Sequence, residues 1–159
     1  MSVPSVTPPR NYVIVPIGNR RFSFAAESVI ELISIGRLQQ FPHRTSWISG
    51  VIVRRNRVVP VCDVSRMLGE TTAPMFRFCL IAEWHAGNAR DWCAIPVAGE
   101  CELASGETAV EVDGNAENRG PHITGSIQVG EERIEIVDLG KLIQGCQTQS
   151  EAVVSEARL

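Results

Sequence analysis

The 159-residue chain is 44% hydrophobic and 21% charged with a net charge of −3, the profile of an ordinary globular protein. That length holds one domain or two small subdomains sharing a core, and no apolar run reaches the length of a membrane span. The charge is uneven: residues 1–77 carry ten arginines against four acidic residues, whereas residues 78–159 carry five basic against fourteen acidic residues. Such asymmetry suits complementarity with more than one protein surface. The acidic overall balance, with arginines not interleaved by aromatic residues, disfavours nucleic acid.

Residues 1–10 hold Pro4, Pro8 and Pro9 and no apolar h-region, so they read as a flexible tail and not a secretory signal. A cytoplasmic protein is the expectation. Asn11 to Ile17 and Arg20 to Ala25 form two strands joined by Gly18-Asn19. Ala26 to Leu32 is ambiguous between a helical turn and a strand, and Gly36 to Pro42 is a connector. Trp47 to Val64 then gives the most informative stretch, a hairpin of apolar, β-branched strands around Arg54-Arg55-Asn56-Arg57. Three arginines on one turn cannot all be buried, so this turn faces water or an anionic partner.

Asp63 to Gly69 reads as a short helix, with Asp63 as its cap and Gly69 as its left-handed exit. A linker at Thr71 to Pro74 leads to a strand from Phe78 to Trp84, paired with Trp92 to Val97 across Gly87-Asn88. Glu100 to Leu103 is short and mixed, and Ser105 to Pro121 reads as a polar, acidic, mobile loop. Ile123 to Val129, Arg133 to Val137 and the segment after Asp138 close the fold, and Gln147 to Leu159 reads as a polar tail, either extended or forming one turn or more of helix.

An internal repeat organises these elements. An offset of 75 residues aligns Ile48 with Ile123, Gly50 with Gly125, Ile52 with Ile127 and Asp63 with Asp138, without a gap. A weaker offset of 71 sets Phe24-Ala25-Ala26 over Ile95-Pro96-Val97 and Glu31-Leu32 over Glu102-Leu103. The repeat halves run roughly over 20–70 and 78–145, within one domain of residues 11–145, leaving 146–159 as the tail. Short strands with Gly and Pro turns indicate a mainly β protein of two small antiparallel barrels with short helices. The repeats differ at the turn, where Arg54-Arg55-Asn56-Arg57 corresponds to Val129-Gly130-Glu131-Glu132.

The ordered set Phe24-Ala25-Ala26-Glu27-Ser28-Val29-Ile30-Glu31, Phe41-Pro42, Trp47-Ile48-Ser49-Gly50-Val51-Ile52, Arg55 and Val58-Val59-Pro60-Val61-Cys62-Asp63-Val64 resembles the CheW-like domain family. Ile123-Thr124-Gly125 and Val137-Asp138-Leu139 extend the likeness from about Tyr12 to Gly145. The resemblance implies two SH3-like five-stranded β-barrel subdomains and an adaptor without catalysis. It also implies two partners, the regulatory domain of a CheA-type histidine kinase and the cytoplasmic tip of a chemoreceptor, with no membrane insertion. Val29, Glu31, Gly50 and Arg55 occupy positions that lie near partner surfaces in the family. The family's usual Asn-Leu-Arg-Gly turn is Val53-Arg54-Arg55-Asn56 here, which suggests a divergent pathway such as one controlling surface motility.

The candidate partner-binding residues are therefore Val29, Glu31, Gly50, Val51, Arg54, Arg55 and Asn56. Arg55 leads, because a rigid fork of donors suits a carboxylate or carbonyl cluster on a receptor helix. The plain alternative is a solvated turn arginine, since exposed ion pairs contribute little. Val29 and Val51 suit an apolar groove receiving a helix, or plain core.

No catalytic, metal or cofactor site is expected. His43, His85 and His122 are dispersed, and neither a nucleophile elbow nor a phosphate loop is present. The five cysteines have no Cys-x-x-Cys spacing, and three of them sit in apolar strand-like runs, where a small buried hydrophobe is the usual role. A small-ligand-binding sensor and a β-barrel enzyme remain the rival classes, and both need a cavity.

Overall fold

The computed structural model describes residues 10–35, 47–70, 77–106, 110–112 and 120–157. The tail before Arg10, the Phe41-Pro42 connector, the Thr71 to Pro74 linker and most of the acidic loop lie outside the described residues. The elements follow in order as β1 (Tyr12–Ile17), β2 (Arg20–Ala25), a 3-10 turn (Ala26–Ser28), β3 (Val29–Ser34), β4 (Ile48–Arg54) and β5 (Arg57–Cys62). Then come β6 (Phe78–Ala86), β7 (Ala89–Val97), β8 (Glu102–Ala104), β9 (Val110–Val112), β10 (Ile123–Val129), β11 (Glu132–Val137) and α1 (Leu139–Ala157). The ambiguous stretch after Ala25 is thus both things in turn, one tight helical turn and then a strand.

The fold is mainly β, two curled sheets of the SH3-like barrel type. One sheet runs β3-β6-β7-β5-β4 and the other β8-β1-β2-β11-β10-β9, which carries β9 as an additional short strand. The barrels are not collinear with the repeats. The β1–β2 hairpin of the first repeat pairs with the β10–β11 hairpin of the second, through a parallel β2–β11 contact. The β6–β7 hairpin of the second joins the β4–β5 hairpin of the first through a parallel β7–β5 contact. The chain crosses between barrels at the 3-10 turn after β2 and again between β7 and β8.

The repeat is visible in detail as well as in outline. The β4–β5 ladder slips between Ile48 and Gly50, and the β10–β11 ladder slips between Ile123 and Gly125. These β-bulges occupy aligned positions, and each bends its strand where the barrel curls. Trp47 and His122 are also aligned, and their carbonyls accept from the Asp63 and Asp138 N–H groups at 2.6 and 2.8 Å.

Strand alternation divides the apolar residues among three cores. Tyr12, Ile14, Ile127 and Ile134 fill one barrel, and Ile52, Val59, Val61, Cys79 and Ile81 fill the other. The opposite faces of β1, β2, β6 and β7 meet between the barrels, where Val15, Phe22, Phe24, Leu80, Cys93 and Ile95 form the largest cluster. Leu139, Leu142, Ile143 and Cys146 bring one stripe of α1 onto it at helical spacing. Burial pushes the Cys93 thiol up to about 12 and those of Cys79 and Cys146 to about 11, so these groups stay protonated as hydrophobes.

The two Asp-led segments end differently. Asp63 Oδ1 accepts from the Ser65 N–H and hydroxyl, but the expected helix is only a series of turns that stop at Gly69, φ +77. Asp138 Oδ1 accepts from the Lys141 N–H at 3.0 Å, and this helix continues through Ala157, into what read as the tail. The aligned counterpart of Gly69 is Gln144, which gives the second segment no left-handed stop. Glu70 is buried and accepts the Asn19 N–H at 3.1 Å, tying the first turn region to the β1–β2 hairpin.

Helix α1 sits tightly enough that a Cβ on Gly140 would overlap the His85 carbonyl oxygen at the end of β6. That neighbour is backbone and cannot step aside. Gly140→Ala is expected to cost about 1–3 kcal/mol through overpacking, read as a lower denaturant midpoint with an unchanged slope.

His122 supplies a second test. It is buried beside Gly120, its Nδ1 has no hydrogen-bond partner, and burial lowers its pKa below 6.5 despite the nearby Met67 backbone and Glu135. The folded state therefore holds the neutral ring, and the unfolded state binds the proton more readily. Stability is expected to be full above about pH 6.5 and to decline as pH falls toward the folded-state value. In His122→Gln, the denaturant midpoint is expected to change less between those pH values.

Candidate partner-binding surface

The sheet of β3-β6-β7-β5-β4 begins and ends on strands that are not paired to each other, yet its two edges meet through side chains. Arg54, the last residue of β4, donates to Glu31 on β3 from Nε at 2.7 Å and from Nη2 at 2.8 Å. This two-pronged geometry is the favoured one for a guanidinium and a carboxylate. The Arg54 hydrogen bonds hold the Glu31 carboxyl below its usual range against a smaller opposing effect of burial, with the Arg54 and Arg55 charges adding to the lowering. The pair acts as a clasp across the barrel seam.

The β4–β5 turn closes with Arg54 opposite Arg57, leaving Arg55 and Asn56 as a two-residue loop. Both have positive φ, +50° for Arg55 and +60° for Asn56, the pattern of a type I′ turn. They are the only non-glycine residues in that region among the described residues. The other three hairpins place Gly18, Gly87 and Gly130 at the first loop position, with φ of 63°, 62° and 59°. Where those turns use glycine, this one holds an arginine in a conformation that costs an L-residue about 1–2 kcal/mol. Such local strain concentrates at functional sites.

The structure sorts the turn's three arginines. Arg54 is engaged in the clasp. Arg57 lies over the Trp92 ring, 4.0 Å from its centroid, and Trp92 Nε1 donates to Glu83 Oε2 at 3.2 Å. Glu83 also pairs with His85 at 3.1 Å, which makes a polar chain across the strands. Nothing in the sequence marked the Arg57–Trp92 contact, because it depends on β5 lying parallel beside β7. Arg55 is left as the tip residue, its side chain 60% exposed, with Nε 3.6 Å from Glu31.

Of the candidates, Glu31, Arg54 and Arg55 come together directly, and Asn56 completes the tip. Val51 lies on the outer side of the same hairpin, opposite Pro60. Gly50 is buried just beyond the bulge. Val29 starts β3 and packs against the central core, two residues from Glu31. A separate cleft of about 250 Å³ lies between the barrels at the start of α1, lined by Tyr12, Phe24, Glu27, Trp84 and Asp138. Among the described residues, no group of three or more His, Cys, Asp or Glu side chains is arranged to hold a metal ion. No helix among them is long and apolar enough to cross a membrane.

The model of the CheW-like domain matches residues 11–147. The chain belongs to the CheW-like domain family. It is 28% identical over 157 residues to Protein FrzA of Myxococcus xanthus, an alignment covering 91% of this chain and 92% of that one. The scaffolding protein TtCheW from Thermoanaerobacter tengcongensis superposes with a TM-score of 0.67 at 16% identity, over 84% of this chain and 92% of the other. The family is one of scaffold and adaptor domains in chemotaxis-type signalling.

The strained tip makes a prediction in its own right. Arg55→Gly relieves a left-handed penalty of about 1–2 kcal/mol, offset by roughly 0.4–1 kcal/mol from the freer unfolded chain. A net gain of about 0.5–1 kcal/mol is expected, read by thermal or denaturant unfolding.

Proposed function

We propose that this protein is a non-catalytic cytoplasmic adaptor, coupling the cytoplasmic tip of a chemoreceptor to the regulatory domain of a CheA-type histidine kinase. Its output is chemotaxis or surface motility. The single observation that carries the reading is Arg55, an exposed guanidinium kept at the tip of a hairpin where the three related turns use glycine. A residue retained at a cost to stability is explained by a contact outside the chain. Family membership supplies the class of partner.

Two clefts of about 250 and 320 Å³ lie near the lower end of the roughly 300–1,000 Å³ of typical ligand pockets, and the larger is lined by the polar and charged side chains of Asn19, Arg20, Arg21, Glu132, Arg133 and Glu135 where such pockets are mostly apolar. That lining favours the adaptor over the sensor and enzyme readings.

Co-purification with the isolated regulatory domain of a CheA-type kinase is the direct test, and binding is expected at both low and physiological salt. Absence of binding at either salt removes the kinase half of the proposal. Arg55→Glu is expected to fold normally and to bind the receptor tip at least roughly tenfold more weakly, as reversal of an interfacial charge does. Equal receptor affinity for that variant returns Arg55 to the role of a solvated turn residue.

A further inference from the structure

The internal repeat provides a control for the joint that leads into α1. Trp47 and His122 are aligned at the offset of 75 residues, and each immediately precedes a bulged strand. In both, the carbonyl accepts from the N–H of an aligned aspartate. One joint, built twice, carries an indole in one copy and an imidazole in the other. Trp47 packs half-buried against the central core, whereas His122 is only 5% exposed. The fold therefore does not need a titratable ring at this place.

Three segments distant in sequence close on the imidazole. A Cβ on Gly120 would come within 2.8 Å of its Cε1 and 3.1 Å of its Nδ1, so the chain crosses the ring where it has no side chain. The backbone of Met67, in the turns after Asp63, hydrogen-bonds the ring, and because Nδ1 has no partner that bond is made at Nε2. The Met67 side chain in turn abuts α1, where a Cβ on Gly145 would press on it. The His122 carbonyl accepts the Asp138 N–H at 2.8 Å, and the Asp138 carbonyl accepts the Leu142 N–H at 3.0 Å, which is the first turn of α1.

With Nε2 already donating, a second proton can go only to Nδ1. There it makes a buried donor with no acceptor and a charge shut away from water. The charged group acting on the ring is Glu135 of β11, whose Oε1 is held by Arg20 at 2.7 Å, and its pull is smaller than the opposing effect of burial. Gly120 has no side chain, Met67 has no charge, and α1 reaches this joint through Gly145, so none of them supplies a counter-ion. A protonated ring is therefore solvated only by leaving its seat. Leaving breaks the Met67 bond, uncovers the Gly120 turn and removes the support behind the Asp138 N–H.

We infer that His122 is a proton-operated latch joining Gly120, the Met67 turns and the start of α1, closed while its ring is neutral and opened locally by a proton on Nδ1. The latch is independent of the adaptor reading. It is tested on the full chain by native-state amide exchange at about pH 7.5 and about pH 5, on either side of the ordinary histidine range, with protection taken relative to unstructured rates. The amides to follow are Ile123 N–H, which donates to the Gly120 carbonyl, and Asp138 N–H. Both are expected to lose about tenfold or more in protection at the lower pH, while the β6–β7 ladder keeps its own. In His122→Gln, which cannot take the proton, the loss is expected to disappear. Unchanged protection of Ile123 and Asp138, a loss shared equally by β6–β7, or a loss that persists in His122→Gln overturns the inference. Should that variant not fold, the Cε1–H shift of the His122 ring is followed in the unaltered protein. Its titration midpoint is expected to coincide with that of Asp138 protection, and separate midpoints overturn the latch.

Discussion

Each barrel depends on a hairpin from one repeat lying parallel to a strand from the other: β11 beside β2, and β5 beside β7. These are short ladders, with two register pairs in the first and one in the second. Around them the hydrophobic side chains do most of the holding, because the central strands are apolar on both faces and feed both a barrel interior and the cluster between barrels. The consequence is that neither repeat has a core of its own. Helix α1 covers the shared cluster from one side, held close by Gly140 against β6 and by Gly145, where a Cβ would press on Met67.

Within that shared frame the two barrels have been finished differently. In one, β9 lies along the outer edge of β10, and Arg21 reaches both Glu102 and Glu132. In the other, Arg54 of β4 closes on Glu31 of β3, the two edge strands of that sheet. The clasp positions the β4–β5 turn. It anchors the residue immediately before Arg55, so the left-handed tip projects from a fixed root. The stacking of Arg57 on Trp92 anchors the other side. A tip restrained on both flanks loses little additional freedom when a partner arrives, which favours affinity.

The local features were the legible ones. Gly18-Asn19 and Gly87-Asn88 announce their hairpins because two-residue loops demand positive φ, and β-branched runs flank them. The repeat was legible from Ile48, Gly50 and Asp63 against Ile123, Gly125 and Asp138. Its exchange of hairpins between barrels was not, because alignment shows which segments are equivalent and not which segments touch. The helix expected after Asp63 failed because the same cap was followed by Gly69, whose φ of +77 ends the turns, and by Glu70, which bonds back to Asn19. At the candidate site, the exposure of Arg55 on its turn was legible. The pairing of Arg54 with Glu31 was not, since it joins the two ends of a sheet and appears only when that sheet curls.

The exchange of hairpins also says something about ancestry. A single repeat carries a hairpin for one barrel and the remaining strands for another, so one copy by itself leaves both unfinished, whereas two copies complete both. Before duplication, such a unit closes its barrels only by pairing with its twin, at the mercy of concentration. Joining the twins in one chain makes closure an intramolecular event. It also ends their obligation to be identical. From then on one hairpin tip can keep Gly130 for a relaxed turn while the other takes Arg55, and a symmetric pair becomes a body with two unlike faces.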